Sequence, residues 1–478
     1  MRKKLLSVAL CVAMAATTLV GCGSDSKDDK ETTKAPAEST TAPAGDENTD
    51  KEPAGNGDDY SSITGSVYFL NFKPEIEDAY DELMGKFTEE TGIAAKVVTA
   101  ADNSYEATLK VEMAKSDAPT LFTVNGPVGY NTWKEYCADL KDSAIYDMLS
   151  DKTAAISTDA GVFGIPLMME TYGLICNKAI FAEYFALDGI ADTGCKAIED
   201  INSFDKLKAV VEDMDAHKSD LGIKGVFTNV ALGASDNWRI TNHLFCMPLF
   251  YEYKEANATD MDEIKFSFNK EYKNILDLYL DYSTTPKAQA STGSVNDSMA
   301  EFALGEAAIA QNGTWAWGQI NVDGSKVTAD DLYYMPIYTG AAGEESQGLC
   351  TGTENFVCVN ENASDEDKAA SEAFLKWLYT SETGMAFVSK NYGVAPFQGF
   401  DNSAAEKENP LVKLALEDVN NSATSNVNWV TTTTPSQTFK DKLGEDLLGY
   451  AEGSVDWDTV VSNAVALWKA EKAASKAE

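Results

Sequence analysis

The sequence predicts a bilobed α/β protein, with mostly parallel sheets flanked by helices, on three observations. At 478 residues the chain exceeds what one hydrophobic core usually serves, so more than one globular unit is expected. Short apolar runs alternate with helical periodicities from residue 67 onward, the pattern of βαβ units. Residues 164–178, GIPLMMETYGLICNK, form two apolar runs parted by Glu170 alone. A carboxylate there is expensive to bury unpaired, so the chain is expected to emerge into a polar place, such as a crossing between lobes.

Taken in order, the first element is an export signal. Arg2, Lys3 and Lys4 precede an apolar stretch over 5–20, and Leu19-Val20-Gly21-Cys22 places small residues before a cysteine. This resembles a bacterial lipoprotein signal with its lipobox, which implies removal of residues 1–21, acylation of Cys22 and a chain anchored outside the cytoplasmic membrane without spanning it. The alternative is an ordinary secretory signal with an incidental cysteine. Residues 23–60 are almost wholly Ser, Asp, Lys, Glu, Thr, Ala, Pro and Gly, a composition that cannot offset its own ordering entropy and is expected to act as a disordered acidic tether.

Residues 67–71, VYFLN, read as a strand. Ile76, Tyr80, Leu83 and Phe87 then fall at helical spacing until Gly92, and a second strand follows near 95–98. A helix carrying Leu109 and Met113 leads to another buried-type strand over 120–124. Ligands bind such sheets at the carboxyl ends of the strands, here Asn71-Phe72-Lys73 and Asn125-Gly126. Helical patterns are expected near 204–215 and 269–282, an extended stretch over 236–239, and a short strand over 307–310 after residues 297–304. Ser364 caps a helix with Asp365, Glu366 and Asp367 in its first turn, favourable at the positive helix end, and amphipathic helices close the chain near 437–450 and 455–474.

Four stretches together resemble the family 1 extracellular solute-binding proteins of ABC importers: KFTEETGI (86–93), METYGLICNK (169–178), FALGEAAIAQNGTWAW (302–317) and ASEAFLKWLYTSETG (370–384). The resemblance implies a two-lobed periplasmic-binding-protein-like fold of type II, its lobes joined by crossing hinge strands. Lobe one would comprise 64–168 and 350–398, and lobe two 172–345 and 402–470. It further implies a carbohydrate ligand, an oligosaccharide, held between the lobes of a monomer and delivered by hinge closure to membrane permease subunits.

The paired tryptophans at 315 and 317 then separate. If Thr314 caps a helix starting at Trp315, the two indoles lie about 200° apart around the axis and cannot share a face. Trp317 falls beside Ile320 and belongs to the core, leaving Trp315 toward the cleft, where an indole suits the C–H face of a sugar. The bland alternative buries both. Glu170 matches the family position that accepts ligand hydroxyls, and Tyr172 either lines the same cleft or packs. Phe72, Lys73 and Glu75 occupy the first strand-to-helix loop, and Asn125 a second strand end. Trp238 faces cleft or core, Glu354 and Asn355 cleft or solvent, and Arg239 is a hydroxyl donor or a surface ion-pair partner.

With 76 acidic against 38 basic residues, a formal charge of -38, the chain repels phosphate backbones, so no nucleic-acid partner is expected. His217 and His243 lie far apart and no CxxC occurs, so neither metal nor cofactor is expected. The six cysteines beyond Cys22 include several in apolar runs that read as small core residues. Two other classes compete with binding. One is a surface glycosidase, for which carboxylate pairs are unavoidable and uninformative in so acidic a chain. The other is an adhesin or sensor on the same fold.

Overall fold

The computed structural model describes residues 59–101 and 104–475. The expected signal, Cys22 and nearly all of the tether lie outside the described residues. Twelve strands are assigned among those described, in two six-stranded sheets. The first runs in the order β2 (Ala94–Thr99), β1 (Ser66–Asn71), β3 (Leu121–Asn125), β11 (Asn355–Val359), β5 (Gly161–Pro166), β4 (Ile156–Thr158). The second runs β12 (Ser425–Asn428), β10 (Gln347–Gly352), β6 (Glu170–Asn177), β8 (Ala307–Gly313), β7 (Gly225–Phe227), with β9 (Leu332–Met335) also on β6. The chain therefore passes between sheets three times, after β5, after β10 and between β11 and β12.

Strand position explains strand composition. In β1, flanked on both sides, every residue after Ser66 is buried and the run is continuously apolar up to Asn71; β2, at the edge, alternates exposed and half-buried residues. The helix Glu77–Thr91 buries Tyr80, Leu83, Met84 and Phe87 and stops where Gly92 turns left-handed at φ +76. Phe87 meets Phe374 and Trp377 in the first core, while Phe245, Tyr272 and Trp468 anchor the second. Ser364 caps its helix as expected, accepting from Asp367 N at 3.1 Å.

Three expectations are corrected. Only β1–β2, β1–β3, β10–β12 and β7–β8 pair in parallel, because the returning strands β11 and β6 enter antiparallel to their neighbours, so the sheets are mixed. β10 pairs with β6 through Gly352, which places residues 350–352 with the second sheet instead of the first. The stretch around Asp236 is not extended; it turns and enters the π-helix Arg239–Leu244. All six cysteines in the described residues are buried thiols.

Candidate functional site

The carboxyl ends of β1 and β3 face the π-helix, the turn after β8 and the loop after β12 across a cavity of about 310 Å³. That volume lies in the range of small-molecule sites. On the first side Pro74 opens a 3-10 turn and keeps Lys73 extended (φ -106, ψ 90). Asn71 fixes the same residue, accepting from Lys73 N at 2.9 Å and donating to Lys73 O at 2.8 Å. The ammonium is thereby aimed inward, 2.8 Å from Glu170 Oε1 and 3.2 Å from Glu75 Oε1, with Lys73 and Glu170 each 5% exposed. Burial opposes the lysine's charge, but Glu170 and Glu75 outweigh it and raise its pKa; burial raises the pKa of Glu170 and Lys73 opposes it. Because Lys73 follows β1 and Glu170 opens β6, this pair bridges the two sheets.

The opposite wall is aromatic. Trp315 lies 6.2 Å from Trp238, 5.3 Å from His243 and 6.5 Å from Trp429, centroid to centroid, and Lys73 Nζ sits 5.5 Å from its ring. The turn carrying it is a 3-10 turn, Thr314–Ala316, with Gly313 at the cap and no capping bond from Thr314. This corrects the expected Thr314 cap. Trp315 folds back over Gly313, where a Cβ would lie 2.1 Å from the indole, so only glycine admits this ring position. Trp317 packs instead with Ile320 in a separate apolar cluster.

Of the residues singled out from sequence, Phe72, Lys73, Glu75 and Asn125 line the cavity from the first side and Trp238 and Trp315 from the second. Glu170, Glu354 and Asn355 line it at the crossings. Two do not. Tyr172 is fully buried because His243 stacks on it at 4.4 Å and 11°, and its hydroxyl donates to His243 O at 2.8 Å. Arg239 is 2% exposed and turned into the second lobe's interior, donating to Ser298 Oγ and Gln311 O, so it offers neither a ligand contact nor a surface ion pair. Sequence reasoning missed Tyr105, Asn242, His243, Trp429 and Lys440, which also line the cavity. An indole in the polar run 425–434, SNVNWVTTTT, was the available signal for Trp429.

Several polar atoms of the lining are buried and have no hydrogen-bond partner among the described residues: Thr123 Oγ1, Asn125 Oδ1, Asn242 Oδ1, His243 Nδ1 and Trp429 Nε1. Buried polar atoms are normally paired, so the cavity presents unmet hydrogen-bonding capacity beside flat rings. The sequence matches the bacterial extracellular solute-binding protein family over residues 82–413. The chain belongs to that family. Similar solved structures include a chitin oligosaccharide binding protein (TM-score 0.67, 18% identity, 86% of this chain and 99% of the other) and the solute-binding protein RafE in complex with raffinose (0.66, 17%, 86% and 100%). Maltose-bound MalE3 of T. maritima is another (0.62, 16%, 85% and 99%). At these identities the likeness establishes the fold, two α/β halves of the type II binding-protein kind. No curated protein sequence matches the chain.

In this solute-binding protein the buried imidazole has a pH signature. Burial lowers the pKa of His243 from 6.5 to about 4; Glu354 opposes the shift, while Lys440, Arg239 and Lys73 add to it. The unfolded chain takes up this proton near pH 6.5 and the folded chain only near pH 4, so the contribution to stability is complete above the first value and disappears as pH falls to the second. The amount is about 3 kcal/mol at 1.36 kcal/mol per pKa unit. His243→Gln is expected to flatten the stability profile between these pH values by about one proton's slope. Chemical denaturation at several pH values checks this, and a variant profile parallel to the wild type contradicts it.

Proposed function

We propose that this protein captures a carbohydrate, an oligosaccharide, between two lobes and hands it to the transmembrane subunits of an ABC importer, acting as a monomer tethered to the outer face of the membrane through acylated Cys22. The first lobe would be 64–168 with about 355–398, and the second 172–352 with 402–470. The observation that carries the reading is the cavity wall itself: three indoles around a rim of buried, unpartnered polar atoms. A sugar has the matching duality, with apolar C–H faces for the rings and hydroxyls that both donate and accept. The sugars named for the similar structures, raffinose, maltose and chitin oligosaccharide, agree with it.

The carboxylates support holding over hydrolysis. Glu75 and Glu170 are both tied to Lys73, Glu354 accepts from Asn242 Nδ2 at 2.8 Å, and Glu106 accepts from Trp133 Nε1 at 3.0 Å. None of these four lining groups stands free as an acid or a nucleophile. A thermal-shift screen against a glycan panel tests the reading. The matching sugar at 100 times its Kd is expected to add about 2.7 kcal/mol of stability, with smaller dimensions in solution scattering. A panel that moves neither quantity rejects a carbohydrate ligand, and release of shortened product would make the protein a hydrolase.

A further inference from the structure

A second, smaller space of about 10 Å³ is bordered by Asn229, Arg239, Tyr279 and Gln311, all at most 5% exposed. Arg239 Nη1 donates to Ser298 Oγ at 3.0 Å and Gln311 O at 3.1 Å, and Nη2 to Asn229 O at 3.2 Å and Val230 O at 3.4 Å. Every one of these acceptors is neutral. The two acidic side chains whose fields reach the guanidinium are engaged elsewhere: Asp236 Oδ1 accepts from Val295 N at 2.8 Å, and Glu301 Oε2 from Asn229 N at 2.8 Å and Thr284 Oγ1 at 2.7 Å. Burial lowers the pKa of Arg239 to about 10 against their opposing influence.

Among the described residues, four groups bordering the space have buried polar atoms with no hydrogen-bond partner: Arg239 Nε, the Tyr279 hydroxyl, and both the nitrogen and the oxygen of the Asn229 and Gln311 side-chain amides. An unmet buried donor carries a desolvation cost, and an uncompensated buried charge a larger one. We propose that this space binds one small monovalent anion, a halide such as chloride, held by Arg239 Nε, the Tyr279 hydroxyl and the two amide nitrogens. A neutral water would occupy the volume but place no counter-charge in contact with the guanidinium, whose direct acceptors are all neutral. The small volume excludes sulfate and carboxylates. The ion would join two segments that carry the cleft indoles, since Arg239 follows Trp238 and Gln311 precedes Trp315 on the end of β8.

Two measurements on the intact protein decide this without reference to its sugar ligand. Crystals grown in sodium bromide are expected to show an anomalous peak beside Arg239 Nε. At constant ionic strength, replacing gluconate by chloride is expected to raise Tm with saturation, as for any ligand of the native state. Tyr279→Phe, which keeps the ring, is expected to raise the chloride concentration needed for half the effect at least about tenfold, the low end of what a hydrogen bond to a charged group is worth. A space without anomalous signal, or a Tm indifferent to chloride, overturns the proposal.

Discussion

Trp315→Ala is expected to weaken sugar binding by about 2–4 kcal/mol, roughly 30-fold to 1,000-fold, while leaving the fold intact. The ring is half-buried and meets Trp238, His243 and Trp429 on the cavity side, so truncation opens the wall without emptying either core. Trp317→Ala is the control: its ring packs with Ile320 away from the cavity, so it should lower stability and spare affinity. Calorimetric titration with the sugar found by screening, alongside circular dichroism, separates the two. Wild-type affinity in Trp315→Ala, or equal loss in both variants, would remove the indole from the ligand shelf.

What the sequence disclosed follows from the range of the interaction involved. β1 and the helix after it were legible because burial on two faces or one imposes a local period, and Gly92 marks the stop with a left-handed turn. The separation of Trp315 from Trp317 was likewise local, and it survives although the turn is 3-10 and Thr314 does not cap it. Trp429 reaches the cavity because β12 pairs with β10 from 77 residues away, Cys350 opposite Val427, and no local pattern encodes that register. Tyr172 shows the limit of strand alternation. It lies on the same side of β6 as Glu170, but one pair deeper, where His243 covers it. Arg239 fails for a similar reason: successive residues on a helix point in different directions, so the neighbour of a cavity-lining Trp238 turns inward.

Lys73→Met is expected to destabilise the protein by about 3–5 kcal/mol near neutral pH, the usual cost of stripping a buried ion pair of one partner. Two carboxylates, Glu170 and Glu75, would be left facing each other with no cation, and Glu170 is as buried as the lysine it lost. The deficit has a definite pH dependence. Burial already raises the pKa of Glu170 with Lys73 opposing, so removing Lys73 raises it further above the unfolded value near 4.3. A carboxyl with a raised folded pKa destabilises while it is ionised in both states, and protonation in the folded state relieves it. The deficit of Lys73→Met should therefore be full above the raised pKa and shrink as pH falls toward about 4. Pairing the variant with Glu170→Gln, which removes the stranded charge and keeps the shape, should restore most of the stability at neutral pH. Because Lys73 and Glu170 belong to different sheets, the same double-mutant cycle run on sugar affinity measures how far this bridge holds the two halves together around the ligand. A Lys73→Met deficit that is unchanged by acid and by the second substitution would show that the pair is not energetically coupled.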